Sequence, residues 1–131
     1  MLLGLVSLLG LVGPVAPQAD AAGLRSISPH ALYARMLGLR PDGFRCHRNE
    51  IADRALREDE RFRERLRALR PWFEQVLGAG ELDRMNREFD EEVSMIHWNS
   101  CPSDYHRMRA RSEYRRILKE LERRAGRDAK R

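Results

Sequence analysis

Apolar residues recur at spacings of three and four along most of the chain, which is the pattern of amphipathic α-helices. The clearest stripe predicts a helix from about Glu81 to His97. Its members are Leu82, Met85, Phe89, Val93 and Ile96. The alternation of apolar and polar residues that is typical of strands does not occur in the sequence. The predicted fold is therefore all-α, a small bundle of four to five amphipathic helices.

Ser28 followed by Pro29 predicts the start of a short helix, because a capping hydroxyl and a proline at the first helical position both favour a helix N-terminus. The apolar face of this helix consists of Leu32, Met36 and Leu39. The turn-forming residues RPDG at positions 40–43 are expected to end it.

A longer helix is predicted from about His47 to Leu69. Its apolar stripe, which a charged gap interrupts at residues 57–61, consists of Ile51, Ala55, Phe62, Leu66 and Leu69. Several acids precede an arginine by four residues, as Asp59 precedes Arg63, and this spacing predicts solvent-exposed ion pairs. Pro71 is expected either to open a new helix or to kink this one.

A last helix is predicted to begin near Ser103 and to end before Gly126. Its apolar positions are Tyr105, Met108, Tyr114, Ile117, Leu118 and Leu121. The segment 127–131 is expected to be a disordered basic tail. The helical domain as a whole is predicted to span residues 22–126.

The first thirteen residues contain a single polar side chain and no charge. This apolar core is followed by the small residues Ala19 and Ala21, at the two positions that a signal peptidase reads, which is typical of a secretory signal peptide. We therefore predict a signal peptide over residues 1–21, cleaved between Ala21 and Ala22, and a periplasmic or secreted protein. No Lys or Arg precedes Arg25, which leaves open a retained membrane anchor.

Charge is distributed unevenly along the predicted domain. Residues 22–70 hold 12 Arg and 7 acids, residues 71–102 hold 2 Arg and 7 acids, and residues 103–131 hold 11 basic and 5 acidic residues. An acidic segment between two basic ones predicts neighbouring helices of opposite charge. Much of the positive charge has acidic neighbours in its own helix, so we expect no nucleic-acid partner, because phosphate binding requires uncompensated positive charge.

Cys46 and Cys101 are the two cysteines of the sequence. In an exported protein two cysteines form a disulfide by default. Closing a loop of about 55 residues would stabilise the fold by roughly 4 kcal/mol in the chain-entropy description. We therefore predict a Cys46–Cys101 disulfide that staples the bundle.

A metal site is the alternative role for these cysteines. The candidate ligands are Cys46, His47, His97, Cys101 and His106, and zinc or copper accepts such donors. The sequence contains no CxxC or HxxH pair, and Pro102 interrupts the local helix. We therefore favour the disulfide and expect neither a metal nor another cofactor.

No segment of the sequence matches a catalytic motif such as GxSxG or a Gly-rich phosphate loop. We expect a non-enzymatic binding or structural protein of the cell envelope, whose partner is a protein or an envelope component. Trp98, in the predicted loop before the last helix, is a candidate partner-binding residue. Membrane contact is expected only if the N-terminal segment is retained as an anchor. The alternative function is a periplasmic metal-binding or metal-sensing protein.

Overall fold

The structure, a computed structural model, describes residues 21–39, 51–94 and 101–131. These residues form five α-helices and no strand, which confirms the predicted all-α fold. The helices are α1 (Ala21–Arg25), α2 (Pro29–Gly38), α3 (Asp53–Leu77), α4 (Ala79–Ser94) and α5 (Asp104–Ala129).

Helices α3 and α5 lie side by side and run in the same direction. Residues taken in order along α3 contact residues in the same order along α5; the pairs are Asp59–Arg111, Phe62–Tyr114, Arg65–Glu122 and Trp72–Asp128. Helix α4 reverses direction at Gly78, whose φ of 88° favours glycine. Helix α4 therefore lies antiparallel to α3, and Arg70 pairs with Asp83 across this hairpin at 3.0 Å.

The hydrophobic core is formed by α2, α3 from Phe62 onwards, the first half of α4 and the middle of α5. Its members, together with Leu24 of α1, are Leu32, Tyr33, Met36, Leu37, Phe62, Leu69, Trp72, Phe73, Leu82, Met85, Tyr114, Ile117, Leu118 and Leu121. Two tilted aromatic pairs lie within it, Tyr33–Phe73 and Phe62–Tyr114, with ring centroids 4.8 and 4.7 Å apart. The apolar stripes of the sequence thus face one another over this part of the bundle.

Both helix-start predictions that rest on a serine are confirmed. Ser28 precedes α2, and its Oγ accepts a hydrogen bond from the backbone N–H of Ala31 at 3.1 Å. Ser103 precedes α5, and its Oγ accepts from the N–H of His106 at 3.4 Å. Each side chain satisfies a donor that the helix itself leaves without a partner.

Helix α3 continues through Pro71 and ends at Leu77, whereas the sequence predicts a helix from about His47 to Leu69 and a new helix or a kink at the proline. The lost hydrogen bond to the carbonyl of Arg67 does not end the helix. Trp72 and Phe73, directly after the proline, are 8% and 1% exposed, and burial of these two rings outweighs the local cost of proline.

Replacing Pro71 with Ala should raise the free energy of unfolding by about 1–3 kcal/mol, because alanine restores the missing helical hydrogen bond at an exposed position. Urea denaturation of the two proteins measures the difference. Pro29→Ala is the matched control: Pro29 occupies the start of α2, where its N–H would have no helical partner, so no stabilisation is expected. Equal stability of Pro71→Ala and the parent protein would contradict the interpretation.

Helix α5 extends through Gly126 to Ala129, into the segment that the sequence predicts to be a disordered tail. The indole N–H of Trp72 donates a hydrogen bond to Asp128 at 2.9 Å, and this contact lowers the pKa of the Asp128 carboxyl. The last turn of α5 is thereby attached to the core end of α3. This long-range contact has no signal in the local sequence of the tail.

The short helix α1 is held against α5 by Arg124. This buried guanidinium donates to the backbone carbonyl of Leu24 at 2.7 Å and to Glu120 at 2.8 Å, and the Leu24 side chain is 2% exposed. Glu120 also accepts two hydrogen bonds from Arg123, at 2.8 and 3.0 Å. The hydrogen bonds from Arg123, and then from Arg124, lower the pKa of Glu120 to about 2.

Glu120 should make the fold sensitive to acid. A carboxyl whose pKa falls on folding stabilises the native state above its unfolded pKa of about 4.5, and this contribution, about 3 kcal/mol, is lost as the pH falls towards 2. Urea denaturation at neutral pH and across this acid range measures the effect. Glu120→Gln should be less stable at neutral pH and should lose less stability in acid. Parallel pH profiles for the two proteins would contradict the assignment.

Several predictions fall on residues 1–20, 40–50 and 95–100, which lie outside the described residues. The apolar core of the signal peptide and one partner of the proposed disulfide, Cys46, are among them, so export and the Cys46–Cys101 bridge stay predictions. Within the described ranges, no helix has the length and apolarity that a membrane span requires.

Candidate binding groove

An open groove of about 740 Å³ lies between the N-terminal parts of α3 and α5, at the end of the bundle away from Trp72; we call it the α3/α5 groove. On the α3 side it is lined by Ile51, Ala52, Arg54, Ala55, Glu58 and Arg61, and on the α5 side by Asp104, Arg107, Met108, Arg111, Ser112 and Arg115. This described lining holds five arginines and two carboxylates, and therefore has an excess of positive charge.

A buried ion pair joins the two helices where the groove meets the core. Arg111 Nη2 lies 2.7 Å from Asp59 Oδ1, and the two side chains are 7% and 4% exposed. The predicted exposed pair of Asp59 with Arg63 is therefore wrong, and Arg63 instead pairs with Glu60 at 2.6 Å. Asp59 is buried because it lies four residues after Ala55 and three before Phe62, which places it on the inward face of α3.

Glu58, the neighbour of Asp59, holds two arginines of the groove. Arg115 donates to both of its carboxylate oxygens, at 2.6 and 2.9 Å, and Arg111 donates to one of them at 3.0 Å. The hydrogen bond from Arg115 is the main reason why the pKa of Glu58 is lowered. Both guanidinium groups are thus fixed in position, since a bidentate arginine–carboxylate pair restrains the plane of each partner.

Replacing Arg111 with Met should lower the free energy of unfolding by about 3–5 kcal/mol, because the buried Asp59 carboxylate loses its cation. The double variant Asp59→Leu/Arg111→Met leaves no unpaired charge at this buried position and should recover most of the loss. Urea denaturation of both single variants and the double variant completes the cycle. Additive losses, with the double variant least stable, would show that the two residues do not stabilise each other.

Two arginines of the groove have no ion-pair partner in the described part of the chain. These are Arg54 and Arg61, both exposed and both on α3. Seven residues separate them, so they lie on the same face of the helix, about 10 Å apart along its axis. They are the cations of the groove whose hydrogen-bonding capacity is available to a partner.

The groove also contains an exposed apolar side chain. Met108 is 70% exposed, and Tyr105, one turn earlier on α5, is 65% exposed, with the Arg109 guanidinium 5.8 Å from the centre of its ring. The sequence places both residues in the apolar stripe of the last helix; the inward stripe instead begins at Tyr114. Exposed methionine next to aromatic and basic residues is a composition found at protein-binding surfaces.

Two of the residues considered as metal ligands belong to the described segments at the start of α5. Cys101 is half-buried, and Arg107 Nη1 approaches its sulfur at 3.5 Å. His106 Nδ1 lies 2.7 Å from Ser103 Oγ. Cys46, His47 and His97, and also Trp98, lie outside the described residues. Over the ranges 21–39, 51–94 and 101–131, no group of three or more His, Cys, Asp or Glu side chains is arranged to hold a metal ion.

The polar groups of the described lining are mainly hydrogen-bond donors for oxygen acceptors. Its charged groups are guanidiniums and two carboxylates, Glu58 and Asp104, each of which pairs with arginine, and its remaining polar side chain is Ser112. Guanidinium groups bind carboxylate or phosphate oxygens through charge-assisted hydrogen bonds. The sequence analysis did not predict this groove, although Asp59, a charged residue on the inward side of an amphipathic helix, lies in the charged gap at residues 57–61 and was its signal.

Comparison of the chain with protein-family models, with curated proteins and with solved structures finds no match.

Proposed function

We propose that this protein is an exported, non-enzymatic binding protein of the cell envelope that holds its partner in the α3/α5 groove. The observation that carries the proposal is the groove itself. It combines a concave volume of about 740 Å³, the guanidiniums of Arg54 and Arg61, which have no ion-pair partner among the described residues, and the exposed side chain of Met108. Concave sites with a few oriented polar groups and an apolar anchor are typical binding sites.

The position of α1 supports the proposed export. Leu24, the third residue after the predicted cut between Ala21 and Ala22, is buried in the core, and its carbonyl accepts a hydrogen bond from Arg124. The predicted cut would remove Ala21, the first residue of α1, from the described helices. It would retain the buried Leu24 side chain and the hydrogen bond between its carbonyl and Arg124.

The cysteine chemistry is the second part of the proposal. Cys101 lies three residues before α5 and next to Arg107, which lines the groove. A disulfide with Cys46 in an oxidising compartment would restrain the start of α5 and hence one wall of the groove.

Intact-mass analysis after cell fractionation tests export and the disulfide together. The expected product is a protein in the periplasm or medium that begins at Ala22 and gains the mass of two hydrogen atoms on reduction. Retention of residues 1–21 in the membrane fraction would refute the cleaved, released form. An unchanged mass after reduction, with both thiols open to alkylation, would refute the disulfide.

Site-directed photocrosslinking in intact cells tests the binding surface. We expect benzoylphenylalanine in place of Met108 to give a discrete adduct. The same photoreactive residue in place of Val76, which is also exposed but lies at the opposite end of α3, should give none. Equal adducts from both positions, or none from either, would contradict a binding role for the groove.

A further inference from the structure

We propose that the partner contributes an acidic, amphipathic peptide segment, whose carboxylates pair with Arg54 and Arg61 and whose apolar side chains pack on Met108. This inference rests on the proposed function, because it names the chemistry of the ligand for the same groove. Three properties of the described lining support it: the arrangement of its charges, the position of its apolar group and its size.

The distribution of charge favours a ligand with separate single charges. Arg111 and Arg115 are already paired with Glu58, and Arg107 is paired with Asp104. The remaining cations, Arg54 and Arg61, lie about 10 Å apart along α3, which is the distance spanned by three residues of an extended peptide or seven residues of a helix. Two carboxylates at such a spacing would meet both guanidiniums.

The spacing of the remaining cations favours a peptide over a compact polyanion. Glu58 and Asp104 already pair with Arg111, Arg115 and Arg107, so the charges of a ligand are left to Arg54 and Arg61. A phosphate group presents its oxygens at one point, whereas an acidic peptide distributes carboxylates along its length, as the separation of these two arginines along α3 requires.

Met108 supplies the apolar contact that a purely ionic ligand would not use. Its side chain is 70% exposed and lines the groove on the α5 side, opposite the α3 arginines. An apolar ligand side chain packed on this flexible thioether would remove both from water. A segment with acidic residues on one face and leucine-like residues on the other fits both walls at once.

The volume of the groove agrees with several side chains of a peptide. About 740 Å³ lies within the range of sites that enclose organic ligands of moderate size, and is more than twenty times the volume of one water molecule in the liquid. A single inorganic ion would leave most of this space to solvent. A flat membrane surface would not enter the space between two helices.

Fluorescence anisotropy with a labelled synthetic peptide of about twelve residues, with Glu on one helical face and Leu on the other, tests the inference on the oxidised protein as exported. We expect Arg54→Gln/Arg61→Gln to weaken binding about 5- to 30-fold, the effect of losing two charge pairs. The matched control, Arg57→Gln/Arg67→Gln, removes the same charge from exposed positions of α3 outside the groove lining and should change affinity less than twofold.

Several outcomes would overturn the inference. These are failure of the acidic peptide to bind, equal binding of the same peptide with Lys in place of Glu, and equal losses in the two double variants. Stronger competition by inorganic phosphate than by unlabelled peptide, or binding confined to phosphatidylglycerol vesicles, would assign a different ligand. Concentration-dependent dimers lost in Arg54→Gln/Arg61→Gln would assign the groove to a second copy of the chain.

The two proposals can fail separately. A specific adduct from position 108 without binding of the acidic peptide would retain the binding role of the groove and reject only the ligand class. Absence of both would reject the proposed function together with the inference. Circular dichroism and urea denaturation of each variant establish that altered binding does not arise from unfolding.

Discussion

The buried ion pair of Asp59 and Arg111 lies at the boundary between two different kinds of contact within one helix pair. On one side of it, α3 and α5 meet through aromatic and aliphatic side chains, beginning with the Phe62–Tyr114 contact. On the other side they are connected by carboxylate–guanidinium pairs and enclose a groove. The apolar half supplies most of the driving force for association, and the ionic half keeps the two walls together beyond the hydrophobic core formed by the described residues.

Two basic helices can lie side by side because each carries a few acids at the contact. Glu58, Asp59 and Glu122 each pair with an arginine across the α3–α5 interface. Among the arginines outside this set, Arg124 is buried, and Arg54, Arg61 and Arg107 line the groove. The three cross-helix pairs are neutral in sum, so the excess positive charge of α3 and α5 lies in the groove and on their exposed faces.

The periodicity of the sequence was sufficient for the fold class, the core stripe of α2, the Leu82, Met85 and Phe89 part of the α4 stripe, and the serine caps at positions 28 and 103, because all of these depend on local spacing. Contacts between distant residues could not be read in this way. The indole of Trp72 stabilises the end of α5, Arg124 holds α1, and Arg111 turns Asp59 from an expected surface residue into a buried one. The sequence predicts that the acidic helix pairs with its basic neighbours. Helix α4 does so at the surface, as in Arg70–Asp83, but the buried ion pair between helices joins the two basic helices α3 and α5. Buried pairing between helices can be recognised locally only by a charged residue at a position where the helical spacing predicts an inward side chain. The candidate groove lies next to such residues.

Glu58 holds Arg111 and Arg115 in place through hydrogen bonds, so these residues form a rigid part of the groove. Arg54 and Arg61 form an adaptable rim. Side chains that are already immobilised lose little conformational entropy when another molecule arrives, whereas Arg54 and Arg61 would lose rotational freedom on complex formation. The rigid part can thus impose shape at low entropic cost, and the long rim side chains can accommodate sequence differences among ligands. A surface of this design would discriminate ligands by fit and charge pattern while retaining tolerance in the residues that contact its edge.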